Sequence, residues 1–312
     1  MRTRSLLVSI VIGWACIRCT ESPEEVTSPV SAAAEPTPPA HHGDPPAEPG
    51  RAPEAPPSPP PPLALGECAG PPGRTLKTLV VGNSQIYFFD LPKILSDLAA
   101  SGPAACPRIE AHSFTRGGQN LKRLWEGGDS EGRDLPGVLA SGKFDYVVIA
   151  ECIDLVDLDP PYTQFVTYAK AMIEAVRASG AQPILYATPY VNKPKHFGFV
   201  EMAEPQLALG EEMGVTVAAG GLAWLRVWEK LPNVFLHHDD QSHPGPKGSL
   251  VSAMVIYAAI THATPIGLAD PTIACYRGMC PESPLVTDEE RAVFQTAAWD
   301  EARATALPLP LP

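Results

Sequence analysis

The chain has 312 residues and a formal net charge of −12, with 23 Lys and Arg set against 35 Asp and Glu. Nucleic acid is excluded as the main partner, because phosphate backbones are bound by clustered Lys and Arg and this sequence has no such cluster. The acidity mainly favours solubility, and the length provides for one well-packed domain after the N-terminal segments.

Residues 1–20 read as an export signal. Arg2 and Arg4 precede a mostly apolar run from Leu6 to Trp14, too short for a typical membrane span, and small Ala15 stands before Cys16. A cysteine at that point resembles bacterial lipoproteins, whose signal is cut before a cysteine that is then lipidated. Ordinary secretion and an uncleaved anchor are the alternatives. The expected location is outside the cytoplasm: either held to a membrane by lipid on Cys16, on the outer-membrane or periplasmic side, or secreted. Residues 21–65 read as a disordered linker. From Glu21 to Pro62 there are 15 prolines and few large apolar residues, too little burial to offset the entropy of ordering. The domain is expected over residues 66–307, with 308–312 as a frayed tail.

Within the domain, apolar runs rich in β-formers recur with helical patterns between them. Strands are expected at Leu76–Gly82, Arg108–Phe114, Asp145–Glu151, Gln182–Thr188 and Val215–Gly220. Helices are expected at Leu91–Ala100, Thr163–Ala178, Val200–Met213, Leu222–Glu229 and Lys247–Thr261. In Thr163–Ala178, Phe165, Ala169, Met172, Ile173 and Val176 fall on one helical stripe. The continuous apolar stretch Tyr146-Val147-Val148-Ile149-Ala150 suits a strand covered on both faces. This alternation predicts an α/β fold with a parallel doubly wound sheet, whose ligands gather at the carboxyl ends of the strands.

Two segments carry chemistry. Gly82-Asn83-Ser84 follows the first strand, so the serine sits at a turn, held by a rigid element and open to a cleft. Asp240 and His243 stand three residues apart, just before Pro244-Gly245-Pro246-Lys247-Gly248 and an apolar helix. A serine hydroxyl is a poor nucleophile until a histidine takes its proton and a carboxylate orients that histidine. Each segment alone also reads as an ordinary turn or helix cap.

Together, over roughly Thr75 to Leu268, they resemble the SGNH (GDSL-type) serine hydrolases, which are esterases and lipases. The resemblance implies a three-layer α/β/α sandwich on a flavodoxin-like five-stranded sheet. It implies Ser84 as nucleophile, His243 as general base and Asp240 as the orienting acid. Gly117-Gly118-Gln119-Asn120-Leu121 resembles the second block, making Gly118 an oxyanion-hole donor beside the backbone of Ser84. The third block departs from the family's Gly-x-Asn-Asp: after Tyr146 to Ile149 comes Ala150-Glu151-Cys152-Ile153-Asp154, without asparagine. Asp154 stands near the vacant position, but an ionised carboxylate cannot donate to an oxyanion. Asn120 and Gln119 are the nearest candidate donors.

Export makes disulfides expected. Setting aside Cys16 and Cys19, the expected pairs are Cys68 with Cys106 and Cys275 with Cys280, leaving Cys152 as a free thiol. A rival reading takes His237, His238, Asp239, Asp240 and His243 as a metal cluster. Tyr87, Phe88 and Phe89 read as packing or as a wall of the substrate pocket. Arg116 reads as a surface arginine or a contact for an anionic group. Three functions stay open: a serine esterase acting on acyl, including acetyl, esters of carbohydrate or lipid; an inert glycan-binding surface lipoprotein; and an O-acyltransferase. None requires a metal or organic cofactor.

Overall fold

The computed structural model describes residues 68, 73–151, 162–189 and 198–305. The export signal, the proline-rich linker, Cys16, Cys152, Asp154 and the C-terminal tail lie outside the described residues.

Among the described residues, five strands form one sheet: β1 (Thr75–Gly82), β2 (Arg108–Thr115), β3 (Tyr146–Glu151), β4 (Gln182–Ala187) and β5 (Thr216–Ala219). All four pairings are parallel and the order is β2-β1-β3-β4-β5. This is the flavodoxin-like order, with its switch point between β1 and β3. The inner strand β3 is buried at every residue, whereas β2 at the sheet edge mixes buried and exposed positions. The two sequence patterns differ for that reason.

The helices are α1 (Ser84–Tyr87), α2 (Leu91–Ser101), α3 (Leu121–Gly127), α4 (Leu135–Ala140), α5 (Thr163–Ala178), α6 (Phe199–Met213), α7 (Gly220–Lys230), α8 (Pro246–Thr261) and α9 (Asp288–Thr305). They cover both faces of the sheet. On one face Val80, Val148, Ile184 and Ala218 pack with residues of α2, α7, α8 and α9. On the other, Leu79, Val81, Val147, Ile149 and Leu185 pack with α3, α4, α5 and most of α6. This is the expected three-layer arrangement. Burying each such Val, Leu or Ile contributes about 1.5–3 kcal/mol, so the two apolar layers clamp the inner strands and hold their carboxyl ends in fixed positions.

The stripe expected on α5 is the buried one: Phe165, Ala169, Met172, Ile173 and Val176. Helix α8 is buried from Gly248 to Thr261. Both expected disulfides are formed: Cys68–Cys106 ties the domain start to the segment before β2, and Cys275–Cys280 closes a short hairpin. Among the described residues no helix is long and apolar enough to cross a membrane.

Candidate active site

β1 delivers the serine. Gly82 sits where any side chain would collide: an added Cβ would lie 2.6 Å from Ile86 Cγ1 and 3.1 Å from Ala150 Cβ. Glycine therefore lets α1, which begins at Ser84, pack closely against the ends of β1 and β3. Asn83 caps α1, its Oδ1 accepting from Gln85 N at 3.1 Å. Its Nδ2 donates to the Gln119 carbonyl at 3.0 Å, which ties the serine turn to the Gly117–Leu121 loop.

The histidine arrives on a tight loop before α8. His238 N donates to His243 O at 2.7 Å and Gly245 N to Leu236 O at 2.8 Å, so the loop folds back on itself. Asp240 Oδ1 accepts from the backbone N–H of both Ser242 and His243 at 2.9 Å. Its Oδ2 lies 2.7 Å from His243 Nδ1, and His243 Nε2 lies 2.8 Å from Ser84 Oγ. Gln85 Nε2, one residue past the serine, donates to Ser242 O at 3.0 Å. The two segments are thus joined twice, once between the Ser84 and His243 side chains and once from the Gln85 side chain to the loop backbone.

In this arrangement Nδ1–H donates to Asp240, which fixes the tautomer and leaves Nε2 to accept from the serine hydroxyl. Burial pushes the Asp240 carboxyl up, but the two backbone N–H groups and the imidazole outweigh it and hold it below the usual range. It therefore stays ionised at neutral pH. The His243 and Asp240 side chains remain 24% and 39% exposed, so the relay opens to solvent.

Gly118 has a left-handed backbone, φ +64, with open space where a side chain would be. Gln119 Nε2 donates to Gly117 O at 3.4 Å. Asn120 Oδ1 caps α3 by accepting from Arg123 N at 3.0 Å. The start of α3 is also held by Glu151 at the carboxyl end of β3. Its buried Oε2 accepts from Leu121 N at 3.0 Å. Arg116 is exposed and donates to the Gly127 carbonyl at 3.2 Å.

The aromatics after Ser84 take distinct places. Tyr87 puts its hydroxyl over Gly117, where a Cβ would come within 2.6 Å of it. Phe88 is buried and stacks on the His243 ring, with centroids 4.0 Å apart and planes at 7°. Of the other two histidines of the rival metal reading, His237 packs among Phe199, Trp224 and Trp228, while His238 lies edge-on to Phe88 with its Nδ1 3.4 Å from Asp240 Oδ2. Among the described residues no group of three or more His, Cys, Asp or Glu side chains is arranged to hold a metal ion.

Of the residues to which the sequence points, the structure brings Ser84, Asp240 and His243 into one hydrogen-bonded chain. The sequence does not mark Gln85 or Glu151 as parts of the site, nor Phe88 as the neighbour of the histidine. A buried-looking acid ending an apolar strand is the available signal for Glu151. Gln85 and Phe88 stand close after Ser84 but carry no mark of their partners, which are distant in sequence.

Neither a protein-family sequence model nor a curated protein sequence matches this chain. Solved structures do. A DUF4886 family protein from Bacteroides uniformis is similar at 17% identity and TM-score 0.52, over 72% of this chain and 94% of that one. A protein from Slackia heliotrinireducens assigned to the SGNH hydrolases matches at 22% identity and TM-score 0.45, over 59% of this chain and 98% of that one. A catalytic mutant of an acetylxylan esterase from Geobacillus stearothermophilus matches at 16% identity and TM-score 0.44, over 61% and 97% respectively. Solved structures similar to this chain thus include SGNH hydrolases, and what is shared is the α/β fold.

Proposed function

We propose that this chain is an exported serine esterase of the SGNH type, acting on acyl esters, acetyl among them, of carbohydrate or lipid. The observation that carries the proposal is the relay Asp240–His243–Ser84, at 2.7 and 2.8 Å. Ser84 Oγ attacks the ester carbonyl carbon while His243 Nε2 takes its proton. The tetrahedral oxyanion is met by backbone N–H groups of Ser84 and Gly118. Collapse breaks the bond to the alcohol oxygen, which receives the proton from Nε2 and leaves. Water then attacks the acyl-enzyme, gives its proton to Nε2, and the acid departs as Ser84 recovers its hydrogen. Throughout, Asp240 stays ionised and balances the imidazolium.

A formed relay weighs against the inert glycan-binding alternative, since an unused triad has no reason to keep hydrogen-bond distances along its whole length. Membrane anchoring through Cys16 stays part of the proposal on sequence grounds. Hydrolysis of p-nitrophenyl acetate tests the reading. The purified domain should turn over the ester with saturation, and Ser84→Ala should lower kcat at least about a thousandfold. Equal rates in the two proteins would overturn it.

A further inference from the structure

Behind the imidazole lies an aromatic platform that hydrolysis by a triad does not itself require. Phe88 presents its ring face to His243 at 4.0 Å and 7°. Tyr276 packs on Phe88 at 4.6 Å and on Phe89 at 5.7 Å. Tyr276 belongs to a hairpin closed twice over. Its N–H and C=O pair with Met279 at 2.9 and 3.0 Å, and the Cys275–Cys280 disulfide locks the ends. The turn between them, Arg277-Gly278, has positive φ at both residues, 47° and 84°, which suits the handedness of a two-residue hairpin. The Arg277 guanidinium lies 5.7 Å from the ring centroids of both Phe88 and Tyr276.

The backbone under the platform is strained. Phe89 and Asp90, directly after Phe88, both lie in the left-handed region, φ 54 and 55. A bulky residue there is a true outlier and persists only where its surroundings over-determine it. Phe89 is buried and Asp90 caps α2, its Oδ1 accepting from Lys93 N at 3.3 Å. Phe88 itself is extended (φ −61, ψ 127), so it leaves the helical path of α1, and the kink that follows it leads into α2.

We infer that Phe88, backed by Tyr276 of the disulfide-closed hairpin, is the positioning residue of His243. The flat stack holds the ring in the plane that points Nε2 at Ser84 and Nδ1 at Asp240. The negative face of the phenyl ring also favours the imidazolium that forms as the serine gives up its proton. That second contribution exists only once the charge has formed, so it lowers the barrier without tightening substrate binding. The inference rests on the esterase reading and deepens it, since the site's activity then depends on a hairpin more than 180 residues beyond the nucleophile.

The test compares Phe88→Leu, Phe88→Tyr and Tyr276→Ala on p-nitrophenyl acetate, with thermal unfolding checked for each. Leucine keeps the bulk and removes the π face, so kcat should fall on the order of tenfold with KM unchanged, and tyrosine should restore it. An unchanged kcat in Phe88→Leu, or equal impairment in Phe88→Tyr, would overturn the inference. If Phe88→Leu fails to fold, the half-exposed Tyr276 decides. Tyr276→Ala, and the paired Cys275→Ser and Cys280→Ser, should slow labelling of Ser84 by a fluorophosphonate, and unaltered labelling overturns the inference. A wild-type protein inert to both reagents overturns the esterase reading and this inference with it. A reactive wild type indifferent to these changes overturns only the inference.

Discussion

The two carboxylate oxygens of Asp240 have separate roles. Oδ1 binds the backbone of its own loop, and Oδ2 orients His243. All of that lies within four residues, which is why the Asp-x-x-His spacing is legible in the sequence. Asp240→Asn should keep the loop's oxygen acceptor but misplace the imidazole tautomer, lowering kcat by about 10,000-fold, as in serine proteases. Exposed Asp239, with no such spacing, should tolerate the same change. Equal losses in kcat for the two variants would contradict this register. Asn83 is a different case. Its Nδ2 donates to the Gln119 carbonyl while its Oδ1 caps α1, and an aspartate can only accept. Asn83→Asp should leave that carbonyl facing a carboxylate and cost about 1–3 kcal/mol. Chemical denaturation of the two proteins measures it. The partners of Gln85 and Phe88 are not legible, because those contacts span about 155 residues of chain and no local pattern encodes them.

The five strands and the helices α2, α5, α6, α7 and α8 announce themselves because each is buried in a way its sequence must reflect. β3 is apolar up to its last residue, β4 after its first, and α5 carries one continuous stripe. Helices α3, α4 and α9 do not. The first two have seven and six residues, too short for a periodic signal. α9 buries Phe294 together with alanines, Gln295 and Glu301, so its inner face is small and polar. Its anchoring is partly ionic: Glu301 accepts from Arg226 of α7 at 2.6 Å, and Glu290 pairs with Lys247 of α8 at 2.5 Å. The start of α8, directly after His243, depends on Gly248. A Cβ there would come within 2.1 Å of the Leu236 carbonyl oxygen and 2.3 Å of a Trp224 ring carbon. Alanine is the better helix former by about 1 kcal/mol, yet the rigid contacts decide the sign. Gly248→Ala should destabilise by about 1–3 kcal/mol and lower activity, since it displaces the loop bearing His243. A raised Tm would contradict the packing described here.

The doubly wound order brings the ends of β1, β2 and β3 to one side of the molecule, which is why alternation alone predicts one site for residues as distant as Ser84 and Gly118. Among the described residues, three carboxyls shape the acid response. In Asp129, Asp240 and Glu290 burial acts upward, but it is outweighed by Arg133, by the backbone and imidazole of His243, and by Lys247 respectively, so all three sit below their usual range. A group depressed in the folded state contributes stability that is complete above its unfolded value and lost as pH falls through the folded one. Tm should therefore hold from neutral pH down to the ordinary carboxylate range, then decline as these groups take up protons. Asp129→Asn should make the decline shallower. The central claim, that His243 activates Ser84, is tested most directly by mapping the adduct of a fluorophosphonate on the purified domain by mass spectrometry. Labelling at Ser84 that disappears in His243→Ala, with thermal unfolding unchanged, is the predicted result. Undiminished Ser84 labelling in His243→Ala, or an adduct on another residue, would contradict the account.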